Sequence, residues 1–208
     1  MERIMSKRRY RMNELDKLYD KNYVTQLLDN FRSHPAILQF SNVLFYESKL
    51  RAKVGEPEKS LGTRWNFLNN KKFPVLFHCV KTPSKIKHGE TSSYNEGEVK
   101  LVRFYVDLLL RVGIDGVKIV PDDIGVVSPY KAQLNKLRET LNHERKIEIG
   151  TAEYYQGREK KIIIISTVKS RDYVGFLKSE KRLNVCITRA KSLLILIGNA
   201  DTLQVRTA

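Results

Sequence analysis

From about residue 22 onward, short apolar runs alternate with amphipathic stretches. The runs VTQLL (24–28), PVLFHCV (74–80), IGVVS (124–128), IEIGT (147–151), KIIIISTV (161–168) and SLLILIGN (192–199) read as strands. LVRFYVDLLLRV (101–112) and KAQLNKLRETLN (131–142) place apolar residues at i, i+3, i+4 and i+7, the spacing of amphipathic helices. Ile162 to Ile165 are apolar on consecutive positions, so both faces of that strand must be covered. The pattern therefore predicts an α/β fold with a mostly parallel central sheet and helices on both faces.

Element ends are also legible. Asn95, followed three positions later by Glu98, resembles a capping arrangement before a helix that Gly113 can close. Ser33 precedes His34-Pro35, and Pro35 suits the first turn of a helix over AILQFSNVLFY. The stretches 51–72 and 81–95 are polar with Gly, Pro and Ser and are expected to be loops. Residues 1–20 are dense in charge and are expected to form a peripheral extension, with the domain proper over 21–208.

The 208 residues suffice for one buried core. No apolar run nears the roughly 20 residues needed to cross a bilayer, and no apolar stretch follows the basic start, so neither a membrane protein nor a secreted one is expected. Cys79 and Cys186 stand far apart in a chain with four histidines, which gives neither a disulfide framework nor a zinc spacing. No metal site is expected, and the compartment is expected to be reducing, cytoplasm or nucleus. Lys and Arg number 38 against 23 Asp and Glu, a formal charge of +15. Such an excess points to a polyanionic partner, nucleic acid first, or else to a solvated basic face.

No segment reads GxxxxGK[ST], and no acidic pair follows a strand as in a magnesium-binding box. Three blocks are nonetheless specific in order and separation: Asn30-Phe31-Arg32-Ser33-His34-Pro35, Gly150-Thr151-Ala152-Glu153-Tyr154-Tyr155-Gln156-Gly157-Arg158-Glu159, and Arg182-Leu183-Asn184-Val185-Cys186-Ile187-Thr188-Arg189-Ala190-Lys191. They resemble motifs IV, V and VI of superfamily 1 helicases of the up-frameshift type. VTQLLDNFRSHPAIL, IGVVSPYKAQLNKLR, Glu153 and VGFLKSEKRLNVCITRAKSLLILIGN resemble in particular the Moloney-leukaemia-virus-ten and Armitage branch of RNA helicases. The likeness runs from about residue 20 to 200 and corresponds to the second RecA-like domain, a P-loop-NTPase-type fold. It implies that the phosphate loop and the magnesium-binding acids belong to a first RecA-like domain.

That resemblance gives residues roles. Arg32 and Arg189 fall on the positions that contact the γ-phosphate of ATP, Arg189 as arginine finger; an ordinary surface ion pair is the other reading of each. Thr188-Arg189-Ala190 is expected in a helix. Phe31 replaces the usual Tyr and either stacks on adenine or packs in the core. Gln156 and Gly157 border the nucleotide, and Gly157 either lets backbone approach a ligand or only permits a tight turn. Glu159 either meets the ribose edge or pairs with Lys160 or Lys161. Ser128-Pro129-Tyr130, ending a strand and opening a helix, offers backbone N–H groups and the Ser128 hydroxyl to an RNA phosphate. Thr151 resembles a residue that touches the sugar-phosphate backbone. Tyr130 and Gln133 could add contacts, unless Tyr130 is buried under the helix. His34-Pro35 and Trp65 read as structural.

The resemblance thus implies the C-terminal motor domain of an ATP-dependent, 5′-to-3′ RNA helicase, inactive alone and using ATP and Mg2+ held mainly by the first domain. Single-stranded RNA, that first domain and silencing proteins of the Argonaute and Piwi class are the implied partners. Cytoplasmic ribonucleoprotein granules are the implied location, and RNA silencing or turnover the implied role. Two alternatives stand: a non-catalytic helicase-like nucleic-acid scaffold, and a DNA helicase, since backbone contacts say little about the 2′-hydroxyl.

Overall fold

The structure, a computed structural model, describes residues 2–15, 18–86, 89, 91–169 and 179–203. The VGFLK part (174–178) of the third resembling segment lies outside them. Among the described residues, the central sheet has five strands: β3 (Val75–Cys79), β6 (Ile124–Val127), β7 (Glu148–Gly150), β8 (Lys160–Ser166) and β9 (Ala190–Gly198). Their order is β3-β9-β8-β6-β7 and every pairing is parallel, as the consecutive isoleucines predict. Strand β8 divides its side chains between two cores. Ile162 and Ile164 point to one, Ile163 and Ile165 to the other.

The larger core lies under α3 (Glu58–Leu61), α4 (Glu96–Val112) and α5 (Lys131–Thr140), with Val102, Val106, Leu109 and Leu137 against Ile124, Val126, Leu193 and Ile195. The second lies under α2 (Pro35–Phe45), α6 (Glu180–Ile187) and the turn after β7, where Ile37, Ala152, Tyr155 and Cys186 meet Val127 and Leu194. Helix α7 (Ala200–Leu203) follows β9, and α1 (Glu2–Met5) begins the exposed N-terminal stretch. No helix of the described residues is long and apolar enough to cross a membrane.

Three expectations are corrected. VTQLL forms no strand, and Leu27 is 88% exposed. The only pairing there is β1 (Asp29–Asn30) with β2 (Arg51–Ala52), two residues each. The stretch 51–72 is not simply loop: it holds β2, α3 and a 3-10 turn at Gly62–Arg64, and it sends Leu61, Trp65 and Leu68 into the larger core. Gly62 is required there, because a Cβ would stand 1.8 Å from the Ser192 carbonyl oxygen. The stretch 81–95 likewise carries a small antiparallel pair, β4 (Lys85–Ile86) with β5 (Ser93–Tyr94).

Asn95 caps α4 by accepting the Glu98 N–H at 3.1 Å. The arrangement is not reciprocal. The Asn95 N–H goes to Gln133 Oε1 at 2.8 Å, and the Glu98 side chain turns inward.

Candidate functional site

The first block, the Glu159 end of the second and the Arg189 end of the third meet at the N-terminal ends of β8 and β9. The His34 N–H donates to the Lys191 carbonyl at 2.7 Å, and the Lys160 N–H to the Arg189 carbonyl at 3.1 Å. Asn30 Oδ1 accepts the N–H groups of Arg32 and Ser33, each at 3.0 Å, turning the chain out of β1. His34 Nδ1 accepts the Ala36 N–H and caps α2, with Pro35 as its first residue, so this dipeptide has the structural role its position predicts.

The charges brought together are unequal. Glu159 takes Arg32 Nε on one carboxylate oxygen and Lys191 Nζ on the other, the latter at 2.8 Å. Burial would raise Glu159, but those two ion pairs outweigh it and hold the carboxyl below its usual range. Glu159 therefore pairs with neither Lys160 nor Lys161. Lys160 is held by Asp122 and Glu148, and Lys161 by Asp123.

Arg189 is not in a helix. Thr188 ends α6 by donating its hydroxyl to the Asn184 carbonyl, and Arg189 lies in the turn into β9. Its guanidinium donates to the carbonyls of Val185 at 3.0 Å and Arg158 at 3.4 Å and to Thr188 Oγ1 at 3.3 Å. Among the described residues no carboxylate lies within ion-pair distance of it. Burial, and then the neighbouring Arg32 cation, lower its affinity for the proton, although a guanidinium stays charged at any ordinary pH. Two cations thus share the Glu159 carboxylate and a third, Arg189, stands beside them without one among the described residues, an edge that an anion would complete. Phe31, beside it, is 73% exposed, so it packs in no core. Gln156 and Gly157 lie exposed in the turn before β8; Gly157 has φ +79° and open space where a Cβ would stand. The turn itself requires glycine, and the backbone there is also approachable.

The other predicted residues lie at the opposite, C-terminal ends of the strands. Ser128 is fully buried; its N–H donates to the Gly150 carbonyl at 3.1 Å, and among the described residues its hydroxyl has no hydrogen-bond partner. The expectation of a free N–H and an accessible hydroxyl at Ser128 is thus not met, because the strand end is still paired with β7. Pro129 and Tyr130 are half-buried, and Tyr130 precedes α5. Thr151 is half-buried, and its hydroxyl accepts the Tyr154 N–H at 3.3 Å. Gln133 is fully buried and bonded to Asn95 and Ser166, so it offers no surface contact.

Sequence reasoning missed Lys191 as a partner of Glu159, although it stands two positions after Arg189 in the third block. It also missed the buried Glu98, which accepts the Ser166 hydroxyl at 2.6 Å and the Val168 N–H at 2.9 Å. Burial pushes this carboxyl up to about 7, against the smaller opposing effect of those hydrogen bonds. The folded state then holds a proton that the unfolded chain releases near pH 4.5. Stability from this group is complete below that pH and is lost as pH rises through about 7, with a slope of about 1.4 kcal/mol per pH unit. Glu98→Gln should flatten the unfolding midpoint between pH 5 and 7 in denaturant titrations, whereas an unchanged pH slope would contradict the raised carboxyl.

Comparison with known proteins decides the family. An AAA domain profile matches residues 3–201. The mov-10-B.1 protein of Danio rerio is 38% identical over 96% of this chain and 22% of its own length. RNA helicase Mov10l1 of Homo sapiens is 35% identical over 98% of the chain and 18% of its own length. Regulator of nonsense transcripts 1 of Caenorhabditis elegans is 34% identical over 83% of the chain and 17% of its own length. The chain belongs to the superfamily 1 helicases of the up-frameshift type.

Within that family it falls in the Moloney-leukaemia-virus-ten branch, and it corresponds to the second, RecA-like domain. It spans about a fifth of the length of these relatives. A polyphosphate suits the edge formed by Arg32, Arg189 and Lys191. Among the described residues no group of three or more His, Cys, Asp or Glu converges.

Proposed function

We propose that this chain is the C-terminal motor domain of an ATP-dependent RNA helicase moving 5′ to 3′. The observation that carries the reading is Arg189, a half-buried guanidinium satisfied, among the described residues, only by neutral oxygens and set beside a second arginine. Phosphoryl transfer to water spreads negative charge over the transferring group, and fixed guanidinium groups stabilise it without proton transfer. Arg189 meets that charge as the finger, Arg32 contacts the same group, and Glu159 holds Arg32 and Lys191 in place between turnovers. Phe31 stacks on the base, while Gln156, Gly157 and Glu159 line the nucleotide edge.

ATP and Mg2+ are held mainly by a first RecA-like domain, which supplies the phosphate loop this chain lacks, so the domain alone is inactive. Closure of the two domains brings the arginines onto the phosphates, and opening after hydrolysis steps the strand. Pro129, Tyr130 and Thr151 touch the RNA backbone at the far edge, and Ser128 shapes the strand end beneath them. The role is in RNA silencing or turnover with Argonaute- or Piwi-class partners, in cytoplasmic ribonucleoprotein granules; the branch supports this part of the reading, and no docking residue does.

Strand displacement by the full-length protein tests it. Duplexes with a 5′ single-stranded RNA overhang should be unwound when ATP is present, and those with a 3′ overhang should not. Binding without unwinding of either would favour the scaffold alternative. Preference for a DNA overhang would favour the DNA helicase.

A further inference from the structure

Val168 is β-branched yet has φ +71°, a region that such side chains enter only under constraint. The Lys169 N–H donates to the Thr167 carbonyl at 2.9 Å, so Val168 is the centre of a γ-turn of the rare, strained hand. The start of α4 imposes it. Both carboxylate oxygens of Glu98 lie 2.9 Å from the Val168 nitrogen, and Asn95 Nδ2 donates to the Val168 carbonyl at 3.4 Å. Glu98 and Val168 are both fully buried, which keeps water from competing for these bonds.

The turn ends the β8 ladder abruptly. Thr167 still donates to the Ile197 carbonyl at 3.1 Å, whereas the next residue but one is aimed elsewhere. Lys169 Nζ lies 5.1 Å from the centre of the Tyr130 ring and 3.0 Å from Ser93 Oγ. Among the described residues no carboxylate lies within ion-pair distance of it. A ring face and a hydroxyl are partners that an arriving phosphate can replace, and they place the ammonium beside Tyr130, on the edge assigned to RNA.

We propose that Lys169 contacts a phosphate of the single-stranded RNA, and that Glu98 is the positioning residue that sets its place through the Val168 turn. The inference rests on the RNA-binding reading above. It adds a strained, buried turn beside a cation that has a ring face and a hydroxyl as partners and, among the described residues, no carboxylate.

The test is binding of fluorescein-labelled oligouridylate to the full-length protein by anisotropy, across a salt series. Lys169→Ala should raise Kd about tenfold and reduce the salt slope by about one, the signature of one lost phosphate contact. Lys169→Arg should bind nearly as wild type. Lys118→Ala, which removes one exposed charge elsewhere, should leave Kd and slope unchanged. Glu98→Gln should weaken binding by several-fold, and combined with Lys169→Ala should weaken it no further than Lys169→Ala alone. If Lys169→Ala behaves like Lys118→Ala while wild type binds, the Lys169 contact is overturned and the RNA-binding reading stands. If the two losses simply add, the positioning role of Glu98 is overturned. If wild type itself does not bind, the RNA-binding reading fails and the inference with it.

Discussion

Arg189→Ala in the full-length protein is expected to lower RNA-stimulated ATP hydrolysis by about three orders of magnitude, the lower end of what arginine fingers contribute. The size of the effect follows from the setting. Among the described residues Arg189 donates only to Val185, Arg158 and Thr188 oxygens, so its full charge remains available to an anion. Removing it breaks no ion pair among the described residues, and the fold should survive. RNA affinity should stay within about twofold, because the Tyr130 and Thr151 edge lies at the other ends of the strands. Arg189→Lys should recover little, since an ammonium cannot reproduce the planar fork. Steady-state hydrolysis with saturating RNA checks this, and turnover within tenfold of wild type would remove Arg189 from the mechanism.

Trp65→Ala is expected to cost about 3–5 kcal/mol of unfolding free energy, the range for truncating a buried aromatic. Trp65 is 1% exposed and meets Phe67 and Tyr105 at ring-centroid distances of 5.4 and 6.1 Å. Among the described residues its indole N–H has no hydrogen-bond partner, so the loss is one of packing and leaves no orphaned acceptor there. The ring fastens the 51–72 stretch onto the sheet, beside Leu61 and Leu68. Against a typical stability of about 5–15 kcal/mol this is a large fraction, and urea unfolding should show it as a lower midpoint with an unchanged slope. Trp65→Phe should lose less than half as much. A cost under about 1 kcal/mol would mean that the stretch is not anchored there.

The long apolar strands were readable because their side chains have few alternatives: four consecutive isoleucines in β8 demand two covered faces. Short elements were not. VTQLL is apolar in composition, but β2 offers only two residues to pair with, so the run stays outside the sheet. Trp65 reads as structural from the sequence, yet its spacing with Leu61 and Leu68, four and then three positions, is hidden by the polar and glycine residues around it. The three blocks identified the residues of the candidate site, whereas their partners depended on the fold. Glu159 stands next to two lysines in sequence and bonds instead to Arg32, 127 positions away, and to Lys191. Glu98 occupies a capping position by spacing, but burial of α4 turns its carboxyl into the core.

On the proposed function, this domain completes an ATPase whose phosphate loop lies on another domain. That function is tested most directly by RNA-stimulated ATP hydrolysis of this chain alone and of the same chain joined to the N-terminal segment carrying that loop. The chain alone should show no hydrolysis, and the extended protein RNA-dependent turnover. Turnover by the chain alone, or RNA binding without turnover by the extended protein, would contradict it.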